Sequence, residues 1–327
     1  MSSSALIVIP CLNEAAHLRG LLQQLRADNP SARIVVADGG STDGSRAIVE
    51  ELGAADHGII LMDNPDRIQS AGINRAVAMH GDGHEWLARI DAHCAYPANY
   101  VARLIKAGTQ RNAISVVVPM DTIGLSCFQK AAAAAQNSVI GTGGSPHRSK
   151  GAGAYVDHGH HALMQIGAFR SVGGYNLGMS HNEDAELDHR LRMHGRIWLE
   201  PDCTITYFPR ATPLALWRQY RNYGKGRAQT LQLHRMRPKL RQMIPLAVPA
   251  ALFLALLAPV LPLLALPLMV WAVLTMTAGA LIGWRSRSLC AAMCGFAAMI
   301  MHMAWGLGFI RQIAMGKRPL AAIRPLS

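Results

Sequence analysis

From its first residues the chain alternates short, unbroken apolar runs with stretches whose apolar residues recur every three or four positions. Ala5 to Pro10 is rich in Ile and Val, the pattern of a strand buried on both faces. Leu18, Leu21, Leu22 and Leu25 then recur at helical spacing. The same reading gives strands at Arg33 to Ala37, Gly58 to Met62, Trp86 to Ile90 and Ile114 to Pro119, and helices at Ser45 to Leu52, Gln69 to His80 and Tyr100 to Ala107. Strands alternating with helices predict an α/β fold with a parallel sheet covered on both faces. Such sheets bind ligands at the carboxyl ends of their strands. Glu14, Asp38, Asp91 and His93 all fall at those ends. Asp91 and His93 are two apart, so on extended backbone they project to the same side. A carboxylate and an imidazole can share one divalent cation, and a cation can hold a diphosphate.

Beyond Met120 the alternation fades. Residues 141–153 form a Gly-rich basic loop with two open readings. It closes over phosphates through backbone N–H groups, Arg148 and Lys150, or it is an ordinary surface loop. His158, His160 and His161 cluster just after it and are left out of the metal set. Asn182 is placed to cap a helix that begins Glu183-Asp184, with acidic residues in the first turn suiting its dipole. Glu186 and Asp188 read as solvated or paired helix charges, and Arg190 as the partner of a carboxylate. Trp198 to Tyr207 reads as a strand, and Leu214 to Leu233 as an amphipathic helix.

Charge and composition then divide the chain. Of 327 residues half are hydrophobic, and the net charge is +12. Residues 242–284 and 288–310 contain no Asp, Glu, Lys or Arg. Each stretch reaches the ~20 residues that span a bilayer. The first is long enough for a helical hairpin with Pro259 and Pro262 near its turn. Arg235, Arg237, Lys239 and Arg241 precede it directly, where the positive-inside rule and anionic lipid explain them better than nucleic acid does. No nucleic-acid recognition motif appears. Met1 to Ser4 leads straight into a strand, so no signal peptide is expected. The six cysteines are scattered without a Cys-x-x-Cys pair, which predicts a reducing compartment and no structural zinc, with Cys290 and Cys294 on a packed helix face.

Ile9 to Glu14, Val36 to Gly44, Asp91-Ala-His93 and Glu183-Asp184 occur in this order and spacing, and together they resemble the family 2 glycosyltransferases. The resemblance covers roughly the first two-thirds of the chain. With the membrane segments and the Gly-Thr-Gly-Gly run at 141–144, it is similar to the bacterial exopolysaccharide branch. It implies a GT-A nucleotide-sugar-binding (Rossmann-like) domain followed by transmembrane helices. It also implies an inverting, metal-dependent hexosyltransferase acting on a nucleotide-diphosphate sugar, UDP-glucose being the expected donor, and on a polyprenyl-linked acceptor. Asp38 would accept from the uracil and Glu14 would sit by the ribose, with Pro10, Asn13 and Gly39 beside them. Asp91 and His93 would address a divalent cation, Mn²⁺ or Mg²⁺; His93 stands where the family usually has a second Asp. Asp184 would be the general base, with Glu183 its nearest competitor.

Many membrane members carry Gln-x-x-Arg-Trp after the base. Here Gln219 is followed by Asn222 and Tyr223, which favours single transfer over processive synthesis. Lys225 and Arg227 would touch a diphosphate, or else mark a solvated helix end. The expected organisation is a cytoplasmic catalytic domain over 1–235, a basic juxtamembrane segment over 236–242, two to three membrane segments over 243–311 and a basic tail over 312–327 in the bacterial inner membrane. The competing readings are a polyprenyl-phosphate sugar transferase making a carrier lipid, a processive synthase, and a catalytically dead membrane scaffold.

Overall fold

In a computed structural model the described residues are 4–144, 152–179 and 181–316. They form two compact units, residues 4–120, 152–179 and 181–205 in one, and residues 121–144 and 206–316 in the other. In the first unit the chain runs β1 (Ala5–Cys11), α1 (Ala15–Asp28), β2 (Arg33–Asp38), α2 (Ser45–Ala55), β3 (Ile59–Asp63), α3 (Gln69–His80), β4 (Trp86–Arg89), α4 (Tyr100–Gln110) and β5 (Ser115–Val118), as the apolar pattern predicts. β1 pairs in parallel with β2 and β4, and β2 with β3. The alternation of strand side chains builds two cores. Ile7 and Ile9 join Leu18, Leu22, Val36 and Trp86 on one face, while Leu6 and Val8 join Val35, Ile73 and Val77 on the other. Each such side chain, fully enclosed, contributes about 1.5–3 kcal/mol.

The expected all-parallel sheet stops at β4. The chain next forms β6 (Met120–Thr122), α5 (Cys127–Gln136), α6 (Val139–Thr142) and β7 (Ala154–Val156). It then returns as β8 (His160–Gln165), which inserts antiparallel between β4 and β5. After α7 (Ile166–Ser171) and α8 (Glu183–Leu191), β9 (Ile197–Leu199) completes a mixed sheet in the order β3-β2-β1-β4-β8-β5-β9-β7. The apolar part of β8 is only Ala162, Leu163 and Met164, too short a run to announce a strand that is fully enclosed. The single strand expected from Trp198 to Tyr207 is also corrected. It is β9 and β10 (Ile205–Tyr207), parted by a 3-10 turn at Pro201–Cys203 that the Glu200 side chain caps. Pro201 lacks the N–H that would continue the ladder, and β10 pairs instead with β6.

In the second unit α9 (Pro213–Leu233) starts from the Thr212 side chain, which accepts from the Ala215 N–H. α10 (Leu240–Leu256), α11 (Leu266–Arg285), α12 (Leu289–Ala292) and α13 (Cys294–Ala314) follow. Two helical segments, Pro262–Arg285 and Leu289–Ala314, are long and apolar enough to cross a membrane; the apolar helix at Gln242–Leu256 is shorter. α9 and α13 meet through glycines. A methyl at Gly224 would fall 2.0 Å from the Trp305 carbonyl oxygen, and one at Gly308 2.0 Å from that of Arg221. Cys127 and Cys290 form a disulfide, with Cα atoms 5.0 Å apart. This corrects the expectation of cysteines without a bridge and of Cys290 as a mere packing residue. A sequence separation of 163 residues leaves no spacing for a reader to recognise. Cys11, Cys94, Cys203 and Cys294 are free.

Candidate active site

The loops that follow β1 and β2 are stitched together by side chains. Asn13 adopts a left-handed backbone (φ 58°), which Asn tolerates better than most residues. Its N–H donates to Ser41 Oγ at 2.9 Å, and its Oδ1 accepts from the Thr42 N–H at 2.8 Å. The Glu14 N–H donates to Ser45 Oγ and the Ala15 N–H to Asp43 Oδ2, both at 2.9 Å. Pro10 pairs with Ala37 in the sheet, and the Gly39 N–H donates to the Cys11 carbonyl at 2.8 Å. Asp38 is buried at the end of β2. Its Oδ2 accepts from the Gly40 N–H at 2.9 Å, the Ser41 N–H at 3.1 Å and Arg46 Nη1 at 2.8 Å. Burial works against its charge, but hydrogen bonds from Ser41, Arg46 and the Gly40 backbone outweigh it and hold the carboxyl below its usual range.

Past the end of β4 lies a buried charge network. Arg89, 5% exposed, donates through Nε to Asp91 Oδ1 at 3.2 Å and through Nη1 to Asp184 Oδ1 at 2.6 Å. Nη1 also reaches the Tyr175 hydroxyl at 3.1 Å. Asp91 Oδ1 takes a second bond from Gln69 Nε2 at 2.9 Å, while its Oδ2 lies 3.6 Å from His160 Nε2, beyond hydrogen-bond distance. His161 Nδ1 is 2.7 Å from the Tyr175 hydroxyl and 3.3 Å from Asp184 Oδ1, and its Nε2 is 2.7 Å from Asp188 Oδ1. Burial resists charge on Asp184, but Arg89 and His161 overcome it and keep the carboxyl well below the usual range. Burial resists protonation of His161 as well, yet Asp188, Tyr175 and Asp184 push it well above an ordinary histidine. Glu183 is raised, first by burial and then by its neighbour Asp184. Its protonation is therefore easier than that of Asp184, which stays ionised with Oδ2 free of any hydrogen bond among the described residues.

Several expectations are revised here. Of the two readings of Glu186 and Asp188, paired holds and solvated does not: both are fully buried, Asp188 against His161 and Glu186 against Arg190 at 2.7 Å. Arg190 does pair with a carboxylate, as expected. Asn182 sits at the N-cap of α8, but in a left-handed conformation with no side-chain capping bond. His160 and His161, set aside as loop residues, belong to β8 and line the network. His93 Nδ1 bonds Glu14 Oε1 at 3.0 Å. In a neutral ring, a proton on Nδ1 makes that contact and leaves Nε2 with its lone pair, the arrangement in which a carboxylate orients a metal-binding imidazole. Asp91 Oδ2 and His93 Nε2 thus fit a divalent cation as donor types. Among the described residues no three His, Cys, Asp or Glu side chains are gathered as a metal set. Arg148 and Lys150 lie outside the described residues, as does the basic tail from Lys317 onward. Lys225 and Arg227 lie within α9 in the second unit, Arg227 largely buried.

Residues 6–173 match the family model for glycosyl transferase family 2, over half of the chain. The chain is a family 2 glycosyltransferase. The glycosyltransferase is similar to the succinoglycan biosynthesis protein ExoA of Rhizobium meliloti (strain 1021), with 49% identity over 323 residues and 98% of each chain covered. Among solved structures it is similar to the mannosyltransferase PcManGT of Pyrobaculum calidifontis, in complex with GDP-Man and Mn²⁺. That likeness has a TM-score of 0.63 at 16% identity, over 96% of this chain and 88% of that one. A second likeness, TM-score 0.51 at 16% identity, is to GalNAc-T7 with UDP, GalNAc and Mn²⁺, over 70% of this chain and 47% of that one. The shared architecture is the GT-A sheet.

Two signals in the glycosyltransferase sequence point to residues that the motif reading missed. Arg89 interrupts an apolar strand, and a charge buried there needs carboxylate partners. Tandem histidines at 160 and 161 open a strand whose next three residues are apolar. Tyr175 and Gln69 carried no such mark.

Proposed function

We propose that the chain transfers one hexose, glucose from UDP-glucose, with inversion, to a polyprenyl-diphosphate-linked oligosaccharide during assembly of a succinoglycan-type exopolysaccharide. The observation that carries the reaction is the Arg89 bridge from Asp91 to Asp184. It ties the carboxylate nearest the donor phosphates to an ionised carboxylate suited to act as a base. The likeness to ExoA supports the substrate class. In this reading Pro10, Asn13, Glu14, Asp38 and Gly39 receive the nucleoside, the acceptor atom being Asp38 Oδ1, whose only hydrogen bond among the described residues is a long one of 3.4 Å. Asp91 and His93 would hold a divalent cation, Mn²⁺ or Mg²⁺, which would supply positive charge to the leaving diphosphate. Arg148, Lys150, Lys225 and Arg227 are further candidate phosphate contacts. Asp184 Oδ2 removes the proton of the acceptor hydroxyl as that oxygen bonds to the anomeric carbon. The bond from that carbon to the diphosphate breaks on the opposite face, which inverts the configuration. Arg89 keeps Asp184 ionised at rest, and Asp184 is preferred to Glu183 because the family's motif places the base there. The exposed apolar side chains of α11, among them Met269, Val273 and Leu274, suit a lipid surface. They support a multi-pass protein of the inner membrane with residues 1–235 on the cytoplasmic side.

Membranes carrying the protein, Mn²⁺ and labelled UDP-glucose test the reading. Lipid-extractable label that vanishes with Asp184→Asn is the expected result. Full transfer by a well-folded Asp184→Asn protein would refute the base assignment. Label on bare polyprenyl phosphate, identified by product mass, would replace the acceptor with a carrier lipid.

A further inference from the structure

His161 is fully enclosed, yet both of its ring nitrogens have partners, and two segments supply them, the loop at Tyr175 and α8. Nδ1 meets the Tyr175 hydroxyl at 2.7 Å and Asp184 Oδ1 at 3.3 Å; Nε2 meets Asp188 Oδ1 at 2.7 Å. The partners are themselves held. Tyr175 is clamped by Asn74, which accepts its N–H at 2.9 Å and donates to its carbonyl at 2.8 Å. Asp188 Oδ2 accepts from the Gly159 N–H at 3.1 Å. β8 slips register against β5 at Val116/Val117, a bulge of the kind that re-aims side chains beside active sites. Asp184 and Asp188 are one turn apart on α8 and share a face. One imidazole on the sheet therefore grips two successive turns of the helix that carries Asp184.

We propose that His161 is the positioning residue for the Asp184 carboxylate, and that Asp188 and Tyr175 fix the imidazole for that task. The inference rests on Asp184 being the base. Nε2 needs a proton to serve Asp188, and Nδ1 together with Arg89 Nη1 engages a single oxygen of Asp184. Two contacts on Oδ1 set the plane of the carboxylate and leave Oδ2 to meet the acceptor hydroxyl. Misplacing a reacting group by 1 Å is enough to cost about 10²-fold in rate.

The full chain in membranes, with labelled UDP-glucose, separates this role from a purely structural one. His161→Gln keeps a donor near the Nε2 position for Asp188 and gives up the contact with Asp184. His161→Asn does the reverse, leaving the buried Asp188 without its partner. We expect His161→Gln to lower kcat by about 10²-fold, with KM for UDP-glucose and thermal stability near the parent's. His161→Asn should lose thermal stability and retain more of kcat. Parent-like kcat in His161→Gln, or losses in both variants that simply track thermal stability, overturns the proposal. If His161→Gln does not fold, Tyr175→Phe reads the same point, expected as a fall in kcat at unchanged KM and overturned by an unchanged kcat. Asp184→Asn is run alongside. Full activity there removes the base reading itself, whereas an inactive Asp184→Asn with a fully active His161→Gln removes only the positioning role.

Discussion

Replacing Arg89 by Met keeps an unbranched, flexible stem and deletes the guanidinium with its charge. In the native chain that charge sits 3.2 Å from Asp91 and 2.6 Å from Asp184, with side chains 5%, 14% and 22% exposed. The variant leaves two carboxylates without their common cation. Removing one partner of a buried ion pair costs about 3–5 kcal/mol, and the partial exposure of Asp184 places this case at the lower end. In a unit of this size each kcal/mol moves the midpoint by about 2–4 °C. The expected fall is therefore about 6–12 °C in thermal unfolding of the detergent-purified chain. Adding Asp184→Asn to Arg89→Met should recover part of that loss, because one stranded charge disappears and Asp91 retains Gln69. The assay is a double-mutant cycle of the parent, both single variants and the double. A single variant within about 2 °C of the parent, or a double variant whose losses merely add, would show that Arg89 is not the cation of this network.

Two further outcomes follow from other parts of the chain. Gly20 lies in α1 with open space where a methyl would go, whereas Gly224 faces the Trp305 carbonyl across α9 and α13. Gly20→Ala should therefore stabilise by up to about 1 kcal/mol through helix propensity, and Gly224→Ala should destabilise by about 1–3 kcal/mol or more through overpacking; equal effects in thermal melts would rule out the close helix contact. Asp38 titrates lower in the folded chain than in the unfolded one, so its stabilisation is complete above about pH 4 and is lost as pH falls through the folded value. The gap in melting temperature between the parent and Asp38→Asn should be widest at neutral pH and close on acidification; a gap independent of pH down to the acid limb would count against the depressed carboxyl.

The fold was legible where period and burial agree. β1 to β3 and α1 to α3 are long apolar runs or clear helical repeats, and tertiary packing only had to endorse them. β8 escaped because three enclosed apolar residues behind two histidines do not outweigh the polar stretch before them. The antiparallel insertion of β8 is a long-range choice that no local pattern encodes. Gly224 has a packing role that its basic neighbours do not announce, because its backbone lies where α9 meets α13. The Cys127–Cys290 bridge joins residues whose only relation is spatial.

The site was legible in its acids and illegible in its cations. Asp38, Asp91 and Asp184 follow short motifs at strand and helix ends, where a reader expects ligand chemistry. What joins Asp91, Asp184 and Asp188 in one network is Arg89 and His161, both in strands and both touching Asp184 Oδ1. Arg89, together with His161 in its protonated form, sets two positive charges against Asp91, Asp184 and Asp188. With all three carboxylates ionised the balance is one negative charge in a buried place, beside an Asp91 Oδ2 that has no hydrogen bond among the described residues. Such an excess is costly unless a further cation arrives. The orientation of His93 by Glu14, with its Nε2 lone pair left over, provides a second donor for one. Asp91 and His93 thus offer one carboxylate oxygen and one imidazole nitrogen at this strand end, donor types that suit a divalent cation.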